Sequence, residues 1–202
     1  MTDDSDAFET LYAKGVTDGL PVVAPTAERV AAAIEASGRA ADELVGLVAP
    51  QHGRATVQRI AINAVMAGCR PEYLPVVIAA VEAICDPAFT LEGVSGTTDA
   101  VTPLLIINGP IRAELDVNAA VGVFGPGWRA NATIGRAVRL IWANVGGARP
   151  GVISMSTFGQ PGRYTYCIGE YEEASPWEPL HVEHGFAPTD STAAALAAEA
   201  PQ

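Results

Sequence analysis

Three groups of side chains in this 202-residue chain could carry chemistry. The first is a thiol. Cys69 directly precedes Arg70, and Pro71 opens the next helical pattern. A guanidinium lowers a thiol's pKa and a helix C-terminus raises it, so the two influences on Cys69 oppose each other. Cys85 ends an apolar helical run, and Cys167 lies between Tyr166 and Ile168; both read as core residues. The second group is PLHVEHGF, where His181 and His184 are three apart with Glu178 and Glu183 beside them. On a helical turn the two imidazoles share a side, a spacing that zinc, iron or manganese sites use. The segment is neither HExxH nor a finger pattern and fixes no third ligand, so the metal set His181, His184 and Glu183 is an alternative. The plain reading is an exposed acidic loop with titrating histidines.

The third group lies in FGPGWRANATIGRAVRLIWANVGG, residues 124–147. Gly125-Pro126-Gly127 forces a turn, and a helix follows with apolar residues at Ile134, Ala137, Val138, Ile141, Trp142 and Val145. Asn131 or Thr133 is the expected cap, and Gly146-Gly147 the left-handed stop. Arg129, Asn131 and Arg136 would then stand where the first free N–H groups point outward. With Gly125 and Gly127 they make a candidate cradle for an anion. The loop is neither a Walker A sequence nor GxGxxG, so nucleotide binding does not follow. The alternative is a packing turn whose arginines form salt bridges.

Around these groups the sequence predicts a single α/β domain over residues 1–190, a mixed sheet flanked by helices, with α+β as the other arrangement. Residues 1–6 read as a frayed acidic end, followed by a short helix from Phe8 to Ala13. Thr26 and Thr56 read as N-caps of two helices that stop at Gly38 and Gly68. Leu44–Val48 is a strand candidate, and the second of these helices pairs with one running from Pro71 to Cys85. Asn63 is a polar residue in an apolar helical run, expected to bond a backbone carbonyl. LEGVSGTTDA reads as a loop. Val101–Ile107, apolar on both faces, is the expected central strand. Val152–Ser156 and Tyr164–Ile168 are further strands. Residues 191–202 read as a flexible or partner-docking tail.

Composition narrows the function. Net charge is −11, with 23 acidic against 12 basic residues, so nucleic acid and anionic membrane are poor partners. An anionic ligand needs a local positive site. MTDDSDAFET lacks the basic start of a signal peptide, no apolar run is long enough to span a bilayer, and 3 scattered cysteines make no disulfide framework. A cytoplasmic protein is expected.

Five blocks together resemble a family of largely uncharacterised bacterial proteins: DGLPVVAPT (18–26), AINAVMAGCRPEYLPVV (61–77), GTTDAVTPLLIINGPI (96–111), FGPGWRANATIGRA (124–137) and SPWEPLHVEHGF (175–186). Such proteins are associated with a companion bearing a UGSC motif, selenocysteine or cysteine followed by Gly-Ser-Cys. The resemblance implies longer relatives that continue past the HVE-x-GF block, so this chain looks like a shortened or split member. It further implies a heteromeric enzyme with part of the site on another chain, and redox or carbon–heteroatom bond chemistry on a small anionic or polar substrate. It names no cofactor. In that reading Cys69 is the thiol, His181 and Glu178 are acid or base, and Gly125, Gly127, Arg129, Asn131 and Arg136 hold the substrate. A non-catalytic small-anion-binding subunit is the other class. Trp177, Leu180 and Phe186 in an irregular segment predict a homo- or hetero-oligomer in which residues 175–202 contact another chain, or else a segment lying on the chain's own sheet.

Overall fold

The computed structural model describes residues 4–200, and the expectation for residues 1–3 lies outside them. Helix α1 (Asp4–Ala13) reaches back further than expected, and α2 (Ala27–Ser37) starts at Thr26, whose hydroxyl accepts from the Arg29 N–H. Strand β1 (Leu44–Val48) pairs antiparallel with β2 (Gly53–Thr56), a strand not among those expected. Thr56 caps α3 (Val57–Ala67), which Gly68 ends in the left-handed conformation; a single 3-10 turn then leads into α4 (Leu74–Cys85). Asn63 donates to the Arg59 carbonyl one turn back and accepts from Asn144, so it is a satisfied buried amide.

Helix α5 (Leu91–Gly96) replaces the expected loop. Leu91, Val94 and Ser95 are buried at helical spacing, and that periodicity outweighs the two glycines over so short a span. Strand β3 (Thr102–Asn108) is central as expected, and a short α6 (Ile111–Glu114) follows. The long helix α7 (Arg129–Asn144) starts earlier than predicted. Its N-cap is the extended Trp128 with no side-chain bond, because Asn131 lies inside the helix and is used elsewhere. Val152–Ser156 is not a strand. Pro150 and the left-handed Gly151 fold it into turns, with one bridge from Pro150 to Ser154. Strand β4 shrinks to Cys167–Gly169, and α8 (Leu180–Glu183) is one turn.

The largest correction concerns the end of the chain. The tail expected over 191–202 contains β5 (Thr192–Ala198), which pairs antiparallel with β3 along its whole length. Alanine has little strand propensity, but β3 presents a full row of N–H and C=O groups that need partners. That demand outweighs local preference. The sheet runs β4-β3-β5, with β3 and β4 parallel, so it is mixed and the α/β class holds. Leu105 and Ile107 of β3 face the helical core, fully buried, opposite Ala195 and Ala193 of β5. Trp142 of α7 is also fully buried, and its indole N–H donates to Ser95 of α5 at 2.9 Å. Gly135 lets α7 lie directly on β4: a Cβ there would stand 2.5 Å from Thr165 Oγ1 and 2.6 Å from the Tyr166 nitrogen. Among the described residues no single helix is long and apolar enough to cross a membrane.

Candidate functional site

The first two turns of α7 carry the residues predicted to bind an anion, and the fold sends them in three directions. Arg136 turns toward the N-terminal segment. Its Nε and Nη2 donate to both carboxylate oxygens of Asp18 at 2.7 and 2.8 Å, and Nη2 also reaches the Leu20 and Pro21 carbonyls. Asn131 turns toward the sheet. It accepts from the Asn118 N–H and donates to the Asn118 and Cys167 carbonyls, which uses up its buried amide. Arg129 turns toward α3 and donates twice to the Gly68 carbonyl, at 3.0 and 2.9 Å, meeting the negative end of that helix. Gly125 and Pro126 line a cavity of about 570 Å³ together with Asn131, Tyr166 and Cys167; Gly127 and both arginines lie outside its lining. The predicted cradle is therefore divided, and sequence could not show this because its partners lie in distant segments.

A positive site does form, one step away. Arg129, Arg70 and Arg29 line a cavity of about 400 Å³ with Cys69, bounded by Ala33 of α2 and Leu74 of α4. Cys69 follows the left-handed Gly68, and its thiol lies 3.3 Å from the Thr133 carbonyl, as a donor. Burial pushes this thiol up to about 12, and the pull of Arg129 and Arg136 in the other direction is weaker. Cys69 is thus a protonated thiol at neutral pH, next to cationic groups. Cys167, buried at the wall of the 570 Å³ cavity, is also pushed up by burial. The Arg70–Glu72 pair at 3.9 Å is exposed on both sides and leaves the Arg70 head accessible.

The other predicted acid–base residues are elsewhere. Neither His181 nor Glu178 lines the Cys69 cavity. Glu178 is exposed, whereas His181 is buried with neither ring nitrogen hydrogen-bonded. The metal alternative is corrected: His184 and Glu183 face solvent while His181 faces inward, because α8 is a single turn with His184 at its C-cap. Among the described residues no group of three or more His, Cys, Asp or Glu side chains is placed to hold a metal.

A polar cluster that sequence reading missed lies at the carboxyl ends of β3 and β4. Asn108, fully buried, donates to Glu170 and Glu172, and Glu172 accepts from the Gly109 N–H at 2.8 Å. Arg112 of α6 pairs with Glu173 and lies 3.7 Å from Glu172. Glu170 also accepts from the Leu180 N–H at 2.8 Å, fixing the start of α8 and hence the inward turn of His181. The signal was legible as an asparagine ending an apolar strand and a run of carboxylates after Gly169. Only the parallel register of β3 and β4 brings them together. Compared with protein-family models, with curated proteins and with solved structures, the chain matches none.

Proposed function

We propose that this chain is a subunit of a cytoplasmic enzyme assembly, and that it holds a small anionic or polar substrate in the Cys69 cavity. The observation that carries this is a thiol within a cavity of about 400 Å³ lined by Arg29, Arg70 and Arg129, on a chain of net charge −11. Local cations against a negative background select and retain anions. The cavity is of metabolite size. Redox or carbon–heteroatom bond chemistry is the reaction class, by the resemblance to UGSC-associated proteins. Because burial holds Cys69 protonated, with its S–H given to the Thr133 carbonyl, the reacting thiolate or selenolate belongs to the partner chain, and Cys69 forms part of the cavity wall beside the substrate. The three cysteines are unpaired thiols, in keeping with a reducing compartment.

The proposed partner surface is the segment before β5. Trp177 is 79% exposed and Phe186 51%, although β5 itself is spent on the chain's own sheet. Light scattering on the protein alone and co-expressed with its genomic neighbours tests the assembly; a monomer in both preparations rejects it. Calorimetry with small carboxylates and phosphates tests the cavity. Binding that is unchanged in Arg70→Gln and Arg129→Gln variants rejects the site.

A second reading is a small-anion-binding subunit with no chemistry of its own. The protonated state of Cys69 favours it. Turnover by the reconstituted assembly that falls together with anion binding in Arg70→Gln and Arg129→Gln supports the first reading, and turnover untouched by the loss of binding supports the second.

A further inference from the structure

Toward the C-terminal half of α7, at Arg139, Leu140 and Ala143, a larger cavity of about 740 Å³ opens between that helix and the 150–164 turns. Two arginines line it. Arg139 stacks on the Trp142 ring, 4.8 Å from its centroid, and donates one bond to the Ala148 carbonyl. Its Nη1 is buried without any hydrogen-bond partner. Arg163 donates to the Val101 carbonyl and to the Ser154 hydroxyl. Neither forms an ion pair among the described residues. Their treatment differs from that of the other partly buried arginines. Arg136 has Asp18, Arg112 has Glu172 and Glu173, and Arg39 has Glu43 and Glu82. The one carboxylate in the lining, Asp18, is already committed to Arg136 through both oxygens.

Two half-buried cations hydrogen-bonded only to neutral oxygens, with the nearby Asp18 already paired to Arg136, are an unfavourable arrangement that an anion relieves. Burial pulls Arg139 down to about 10, Arg163 adds to the effect by repulsion, and Asp18 offsets only a small part of it; burial lowers Arg163 as well. Both stay charged at neutral pH, so the cost is that of uncompensated charge. The rest of the wall combines the polar side chains of Thr17, Ser154, Ser156 and Gln160 with an apolar and aromatic part. Phe158 stands 97% exposed at the cavity and Tyr164 50%, with Leu140 behind.

We infer that this cavity binds a small organic acid, its carboxylate bridging Arg139 and Arg163 and its apolar or aromatic body lying against Phe158 and Tyr164. A guanidinium fork matches the planar carboxylate, and the rings give the body its contact area. The site is separate from the Cys69 cavity and does not depend on it.

The test is calorimetric titration of the full chain with benzoate, acetate and inorganic phosphate. Benzoate binds the wild type more tightly than acetate or phosphate do. Arg163→Gln weakens benzoate by about tenfold or more, as expected for a lost charged partner. Arg54→Gln, at an exposed arginine that lines neither cavity, leaves benzoate unchanged. Phe158→Ser, a change at an exposed ring that the fold does not need, weakens benzoate severalfold and leaves phosphate as it was. No benzoate binding to the wild type, phosphate as tight as benzoate, or affinity unchanged in both Arg163→Gln and Phe158→Ser overturns the inference.

Discussion

Arg136 and Asp18 are 118 residues apart in the chain and form a two-pronged ion pair, with both carboxylate oxygens held at 2.7 and 2.8 Å. The side chains are only 14% and 10% exposed, so water does little to screen them. Asp18→Asn leaves a guanidinium without its counter-charge and removes the clamp between the 18–21 turn and α7. The expected loss is roughly 3 kcal/mol, read by urea denaturation. Arg136→Lys, which keeps charge but not the fork, recovers only part. Wild-type stability in Asp18→Asn means that the pair is incidental.

Gly135→Ala sets helix propensity against packing. Alanine favours the helix by about 1 kcal/mol. The added methyl, however, would stand 2.6 Å from the Tyr166 nitrogen and 2.5 Å from Thr165 Oγ1, where α7 lies on β4. Overpacking against backbone costs about 1–3 kcal/mol, so net destabilisation is expected. A raised melting temperature means that the helix and β4 can separate at little cost.

Asn131→Ala removes the acceptor for the Asn118 N–H and the donors to the Asn118 and Cys167 carbonyls. These backbone groups are left buried and unpaired, at about 1–3 kcal/mol each if water does not enter. Hydrogen exchange at Asn118 reports the result directly: faster exchange is expected in the variant, and unchanged protection counts against the role.

Cys69 ties stability to alkaline pH. Its folded pKa is raised from 9.0 to about 12, so its contribution is fully present below pH 9 and is lost as pH rises toward 12. The sign follows from the unfolded thiol releasing its proton first. Cys69→Ser keeps the donor to Thr133 and removes this titration. Stability of the wild type should therefore fall more steeply between pH 9 and 12 than that of Cys69→Ser. Parallel curves would falsify the assignment. At neutral pH the wild-type Cys69 should alkylate far more slowly than an ordinary thiol.

Local signals were readable because local chemistry decides them. Thr26 and Thr56 cap helices, Gly38 and Gly68 end them, and the apolar faces of α3, α4 and α7 follow the helical period. β5 was not readable, since its strand state depends on the unpaired edge of β3 and not on its own alanines. The same holds for the site. Arg129 and Cys69 were legible as residue types, but which arginine meets a carboxylate is settled by segments far away in sequence. Asp18 claims Arg136, and among the described residues no carboxylate forms an ion pair with Arg139. Asn131 resembled a cap in sequence, yet it became an internal tie to β4 because Asn118 and Cys167 lie within its reach.

The pairing of β3 with β5 also sets an order of events during synthesis. Partners in that ladder are roughly ninety residues apart, so β3 leaves the ribosome long before the strand that completes it. The capped helices and the β1–β2 hairpin need only near neighbours and can form early. Until β5 arrives, TPLLIIN has an open edge and two apolar faces, the features of a segment that joins its like in another nascent chain. This protein's yield on overexpression should therefore depend on translation rate and chaperone supply more than its native stability would suggest.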